Sequence, residues 1–88
     1  MRQILLSPAA LADVQRFKSG QQNLAFKVFE LISAIQADPF KGLGKPEPLK
    51  ENYAGYWSRR ISDEHRLIYK VTADFIEIIS CFGHYTSS

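Results

Sequence analysis

Eighty-eight residues are enough for one domain with a modest core and too few for two. A chain that is 45% hydrophobic and 23% charged has the balance of an ordinary globular protein, which excludes a disordered or fibrous one. Eleven Lys and Arg against nine Asp and Glu leave a net charge of only +2, so total charge does not demand a polyanionic partner, although seven of the basic residues fall between Lys41 and Lys70.

The chain opens on "RQILLS", which reads as a short strand, and "SPAA" then supplies a helix start with Ser7 as N-cap and Pro8 in the first helical position. Leu11, Val14 and Phe17 form the apolar stripe of that short helix, which "KSG" at Lys18 to Gly20 should break. A second helix fits Gln22 to Ala37, where Leu24, Val28, Leu31, Ile32 and Ile35 recur at intervals of three and four. Phe26 and Phe29 lie off this stripe and suggest a second buried face, packed under the first helix in preference to contact with another chain. "DPF" at Asp38 to Phe40 ends the helix.

Three glycines and two prolines between Lys41 and Gly55 indicate a long ordered loop, with one helical turn around "PLKEN". Strands follow at Tyr56 to Ile61, His65 to Val71 and Phe75 to Tyr85, joined by the turn-sized "SDE" and "TAD". The order β-α-α-β-β-β implies an α+β fold with two N-terminal helices packed on one face of an antiparallel sheet. Alternation in the middle strand puts Leu67, Tyr69 and Val71 on one side and Arg66, Ile68 and Lys70 on the other, which points Arg66 away from the helices. Gly83 reads as a bulge that re-aims His84.

Cys81 is the only cysteine, so no intrachain disulfide forms, and a reducing compartment is the economical expectation. The apolar run Ile4 to Leu6 is too short for a signal-peptide core or a membrane span, which makes the expected location cytoplasmic. "GLGK" at Gly42 to Lys45 lacks the spacer and the Ser or Thr of a phosphate-binding loop. "CFGH" at Cys81 to His84 has too few companions to make a zinc site, and Cys81 reads as a small buried apolar residue. No metal and no cofactor is expected.

One acid, several arginines and a histidine remain. Glu47 sits in "KPEPLK" between two prolines, and a proline at 48 biases Glu47 toward extended backbone as the proline at 46 biases Lys45. A carboxylate so restricted is better placed than one on a free loop. Together with His84 and Arg66 it has the chemistry that RNA cleavage by internal transesterification requires. A base takes the 2′-hydroxyl proton, an acid protonates the departing 5′-oxygen, and a cation stabilises charge on phosphorus. On residue type alone each has an ordinary competitor. Glu47 would be a loop acid and His84 a surface histidine. Arg59, Arg60 and Arg66 would be a solvated face pairing with Asp63 and Glu64.

"GKPEPLKENYAGYWSRRISDEHRLIYKV" followed by "CFGHY" strongly resembles the Txe/YoeB toxins of bacterial toxin–antitoxin pairs, within the wider RelE-like group. The resemblance implies a compact sheet-and-helices fold and a metal-independent endoribonuclease that cuts mRNA in the ribosomal A site. It assigns Glu47 as base, His84 as general acid and Arg66 as the group that stabilises the transition state. Tyr85 would hold the substrate, Arg60 would sit near the scissile phosphate, and Lys45 and Lys50 would contact phosphates. It also implies an antitoxin partner of the YefM/Phd kind, the ribosome with its mRNA, and a homodimer. The chain runs three residues past the family's usual His-Tyr end, to Ser88. Two alternatives stand beside this reading: a ParE-like toxin that blocks gyrase without cutting RNA, and a catalytically silent module that only binds an antitoxin.

Overall fold

The structure, a computed structural model, describes residues 2–83. Strand β1 (Gln3–Leu6) leads into helix α1 (Pro8–Gly20) and helix α2 (Gln22–Ala37). A two-residue strand β2 (Glu47–Pro48), a 3-10 turn (Glu51–Tyr53) and strands β3 (Tyr56–Arg60), β4 (Arg66–Val71) and β5 (Phe75–Ser80) complete the order.

The start of α1 is built as its sequence dictates. Ser7 Oγ accepts from the Ala10 N–H at 3.0 Å and donates to the Ile79 carbonyl at 2.7 Å, so the cap also ties the helix to β5. The buried face is Ala10, Val14 and Phe17, whereas Leu11 is exposed. Two successive steps of three drift off the face of a helix with 3.6 residues per turn, and a step of four from Ala10 restores it. Gly20 is the last helical residue, so "KSG" does not stop the helix early. Gln21 then donates its N–H to the Phe17 carbonyl and turns the chain into α2.

Helix α2 buries Ala25, Val28, Leu31 and Ile35, with Leu24 and Ile32 at the margins. The expectation that Phe26 and Phe29 pack in the core is overturned: they are 67% and 54% exposed, on the side of α2 away from the sheet. Each follows a buried residue, Ala25 or Val28, by one position, and a step of one turns a side chain about 100° around the helix, off the buried face.

The five strands form one sheet in the order β1-β5-β4-β3-β2. β3, β4 and β5 make the expected antiparallel meander, and β2 adds antiparallel to β3. β1, by contrast, runs parallel to β5, so the sheet is mixed. The helices supply the long connection that a returning parallel strand requires. Leu67, Tyr69, Ile76 and Ile78 face α1 and α2 and are sealed with Phe17, Val28, Leu31 and Ile35 in one core. The ladder slips between Ile68 and Tyr69, which oppose Ser80 and Ile78, leaving Ile79 as the extra residue. That bulge was expected at Gly83. β5 ends at Ser80, and Gly83 instead makes a turn with φ +90°. Cys81 is buried against the Ala10 carbonyl, as expected of a small apolar residue, and burial pushes its thiol up to about 12. Among the described residues no helix is long and apolar enough to cross a membrane.

Candidate active site

The two prolines around Glu47 make sense at the sheet edge. Leu49 donates its N–H to the Tyr56 carbonyl at 2.8 Å, and Glu47 lies opposite Ser58 in the β2–β3 register. Alternate residues of a strand turn their N–H toward the partner, so Pro48 falls where a donor would point away from the sheet. Proline there leaves no free edge donor and fixes the backbone. Glu47 is extended, as its sequence predicts. Lys45 is not: its φ is +52°, in the left-handed region, although the following proline had suggested extended backbone. A tight turn through Gly44 forces this, because Gly44 gives its carbonyl to the Arg60 N–H at 2.7 Å. Gly44 itself has φ +86°, and a Cβ there would fall 2.7 Å from Leu31 Cδ2.

β3 then sorts its residues by alternation. Ser58 and Arg60 face outward beside Glu47, and Arg60 lies directly opposite Arg66 of β4. Lys45, Glu47, Ser58, Arg60 and Arg66 line one open pocket of about 240 Å³. Arg66 is half-buried there and is held by two bonds from one guanidinium nitrogen, to the Ser62 carbonyl at 2.5 Å and the His65 carbonyl at 3.1 Å. Arg60 forms an exposed ion pair with Asp63. Such a pair adds little stability and is easily exchanged for another anion. The carboxylate of Glu47 makes no hydrogen bond or ion pair to another described residue. Among the expected site residues the structure therefore brings four together, Lys45, Glu47, Arg60 and Arg66, and adds Ser58, which sequence reasoning did not single out. Lys50 is exposed at the start of the 3-10 turn and is not part of the lining. His84 and Tyr85 lie outside the described residues.

Arg59 departs from the expected solvated face. It is fully buried on the core side of β3, with its Nε donating to Tyr69 Oη at 3.1 Å. One terminal nitrogen donates to the Leu43 carbonyl at 3.0 Å. The other donates to the Asp38 carbonyl at 2.6 Å and the Lys41 carbonyl at 3.1 Å. Tyr69 in turn donates to the Pro39 carbonyl at 2.6 Å. Burial raises the Tyr69 pKa, against the opposing pull of the Arg59 guanidinium, so the phenol stays protonated and able to donate. Hydrogen bonds to a charged group are worth about 1.5–3 kcal/mol each, and they offset the cost of desolvating the guanidinium.

His65 is the other residue whose place the sequence concealed. It is buried between the rings of Phe17 and Phe82, at centroid distances of 5.0 and 4.5 Å, with the Arg16 guanidinium over Phe82. Its Nδ1 accepts from the Gly83 N–H at 2.8 Å, while Gly83's carbonyl accepts from the Arg66 N–H at 3.0 Å. Gly83 is thus held on both sides at the point where the chain leads on to residue 84.

Two helices on a five-stranded sheet, with a basic pocket around one carboxylate at its open edge, define the architecture of a small bacterial toxin, and solved structures agree. The YoeB/ParE toxin from Agrobacterium tumefaciens superposes with a TM-score of 0.90 at 39% identity, covering 94% of this chain and 99% of that one. The YoeB of the YoeB–YefM complex from Staphylococcus aureus gives a TM-score of 0.84 at 42% identity over 97% and 99%. In sequence, the toxin YoeB of Synechocystis is 52% identical over 78% of this chain and 80% of its own length. The Escherichia coli K12 toxin YoeB is 43% identical over 93% and 98%. Residues 6–85 match the family described as YoeB-like toxin of bacterial type II toxin-antitoxin system, and the chain belongs to that family.

Proposed function

We propose that this toxin is a ribosome-dependent endoribonuclease that cuts single-stranded mRNA in the A site without a metal. The observation that supports the reading is the shared pocket of Lys45, Glu47, Ser58, Arg60 and Arg66, which gathers one carboxylate and three cationic side chains around a single cleft. Glu47 takes the proton of a ribose 2′-hydroxyl, and the 2′-oxygen attacks the adjacent phosphorus. The bond from phosphorus to the 5′-oxygen breaks as His84 donates a proton to that oxygen, leaving a 2′,3′-cyclic phosphate and a free 5′-hydroxyl. Arg66 and Arg60 meet the charge that grows on the phosphoryl oxygens. Lys45 and Lys50 hold flanking phosphates, and Tyr85 steadies the substrate.

The ribosome provides most of the docking surface, which suits a toxin whose own net charge is only +2. The chain works in the cytoplasm. Its antitoxin is of the kind seen with the Staphylococcus aureus YoeB, whose partner is YefM, and a YoeB from the same organism forms a dimer. A locally acidic, flexible segment of the antitoxin folds over the basic pocket and silences it.

Primer extension on translating ribosomes tests the proposal. The wild type yields discrete A-site cuts, and His84→Ala abolishes them while leaving antitoxin binding intact. Gyrase inhibition with no RNA cut would overturn the reading in favour of a ParE-like toxin.

A further inference from the structure

We propose that Arg59 is a positioning residue for the pocket: from the core side of β3 its guanidinium holds the 38–44 turn in the shape that brings Lys45 and Glu47 to Arg60 and Arg66. The proposal rests on the ribonuclease reading of that pocket for its activity arm alone.

The reasoning starts from what a buried arginine costs. Among the described residues no carboxylate receives the Arg59 guanidinium; three backbone carbonyls and one phenol do. An apolar side chain of similar volume would fill the core as well or better for stability alone, because desolvating a charge is expensive. What an apolar residue cannot do is gather carbonyls 38, 41 and 43 of one turn onto a single planar fork. Tyr69 adds the Pro39 carbonyl to the same cluster. Four carbonyls of the 38–44 turn are thereby fixed relative to β3 and β4.

The constraint is passed on over a short, stiff stretch. Leu43 is the last residue bound to the guanidinium, Gly44 follows with its carbonyl on the Arg60 N–H, and Lys45 sits in the left-handed region before Pro46. Glu47 then locks into register opposite Ser58. Arg59 lies between Ser58 and Arg60, both of which line the pocket. One residue of β3 therefore ties the loop wall of the pocket to the strand wall through the thickness of the sheet. A displacement of about 1 Å in a reacting group costs on the order of a hundredfold in rate.

The test compares Arg59→Lys and Arg59→Met with Ile76→Val and Ile76→Ala, core variants on β5 that reach a similar loss of Tm away from the turn. Single-turnover cleavage is followed on ribosomes holding a defined mRNA, well below each Tm. Arg59→Met is expected to lower the maximal rate about a hundredfold, and Arg59→Lys about tenfold, with the half-saturating toxin concentration changed less than about threefold. The Ile76 variants keep the wild-type rate. Wild-type turnover in Arg59→Lys, or an equal loss in an Ile76 variant of matched Tm, overturns the proposal.

Amide hydrogen exchange provides an arm independent of activity. Exchange at residues 42–47 accelerates in Arg59→Lys while α1 and β5 stay protected, and unchanged protection at 42–47 overturns positioning. If the wild type cuts no RNA, the ribonuclease reading falls and exchange alone decides this one. Should both arginine variants fail to fold, Tyr69→Phe decides by the same two measurements. It removes one acceptor of the guanidinium and the bond to Pro39, and it is expected to slow cleavage by several-fold and to loosen the same segment.

Discussion

Arg59 is sealed from solvent and commits its guanidinium to three backbone carbonyls and the Tyr69 hydroxyl, whereas Arg60, one residue along the same strand, is 45% exposed and pairs with Asp63. Their chemistry is the same and their surroundings differ because a strand turns successive side chains to opposite faces. On the helix side, a positive charge has to be satisfied by fixed dipoles and becomes architecture. On the open side it keeps an exchangeable partner and stays available to an incoming anion.

The largest expected effect probes the open side. Glu47→Gln and Arg66→Ala should each lower cleavage by a hundred- to ten-thousand-fold, with Tm moved by no more than about 2 °C. A collapse of Tm in either would erase the distinction between the two faces. Gly44→Ala comes next, because its methyl would overlap Leu31 and its backbone is left-handed. A loss of roughly 2–4 kcal/mol in urea unfolding is expected, and a change below about 0.5 would mean that the turn is loose.

Tyr69→Phe should cost roughly 1–3 kcal/mol by the same measurement, through the stranded Pro39 carbonyl and the lost acceptor for Arg59. Arg60→Ala should leave unfolding free energy within about 0.5 kcal/mol while reducing cleavage, since its ion pair is exposed. The last effect is a pH dependence that shows only in alkali. With its folded-state value raised to about 12 from an ordinary 9.0, Cys81 stays a thiol in the folded protein where the unfolded chain ionises. Its contribution is complete below pH 9 and is lost as pH rises toward 12, so Cys81→Ala should flatten the alkaline fall in Tm.

Much of this could be read from the residues in order. The cap at Ser7, the stripe on α2 and the turns at "SDE" and "TAD" are local signals, and they gave the helices and the meander at nearly their true places. The motif around Glu47 and the alternation of Arg66 with Leu67 brought four predicted residues into one pocket. What stayed hidden depended on distant partners. Nothing near Gln3 to Leu6 says that it will run parallel to β5, and the polarity of Arg59 argues for water until the carbonyls of the 38–44 turn are in view. Phe26 and Phe29 look like core by composition, yet helical phase alone turns them outward. His65 gave no hint of its bond to Gly83, because that contact spans 18 residues and closes only when β4 lies beside β5.

The parallel pairing of β1 with β5 has a bearing on how the toxin folds. β1 finds its neighbour only at residues 75–80, so this pairing is the most distant contact in the sheet and has to close a loop of roughly seventy residues. Until that pairing closes, β1 and the facing edge of β5 both stand with open backbone donors and acceptors.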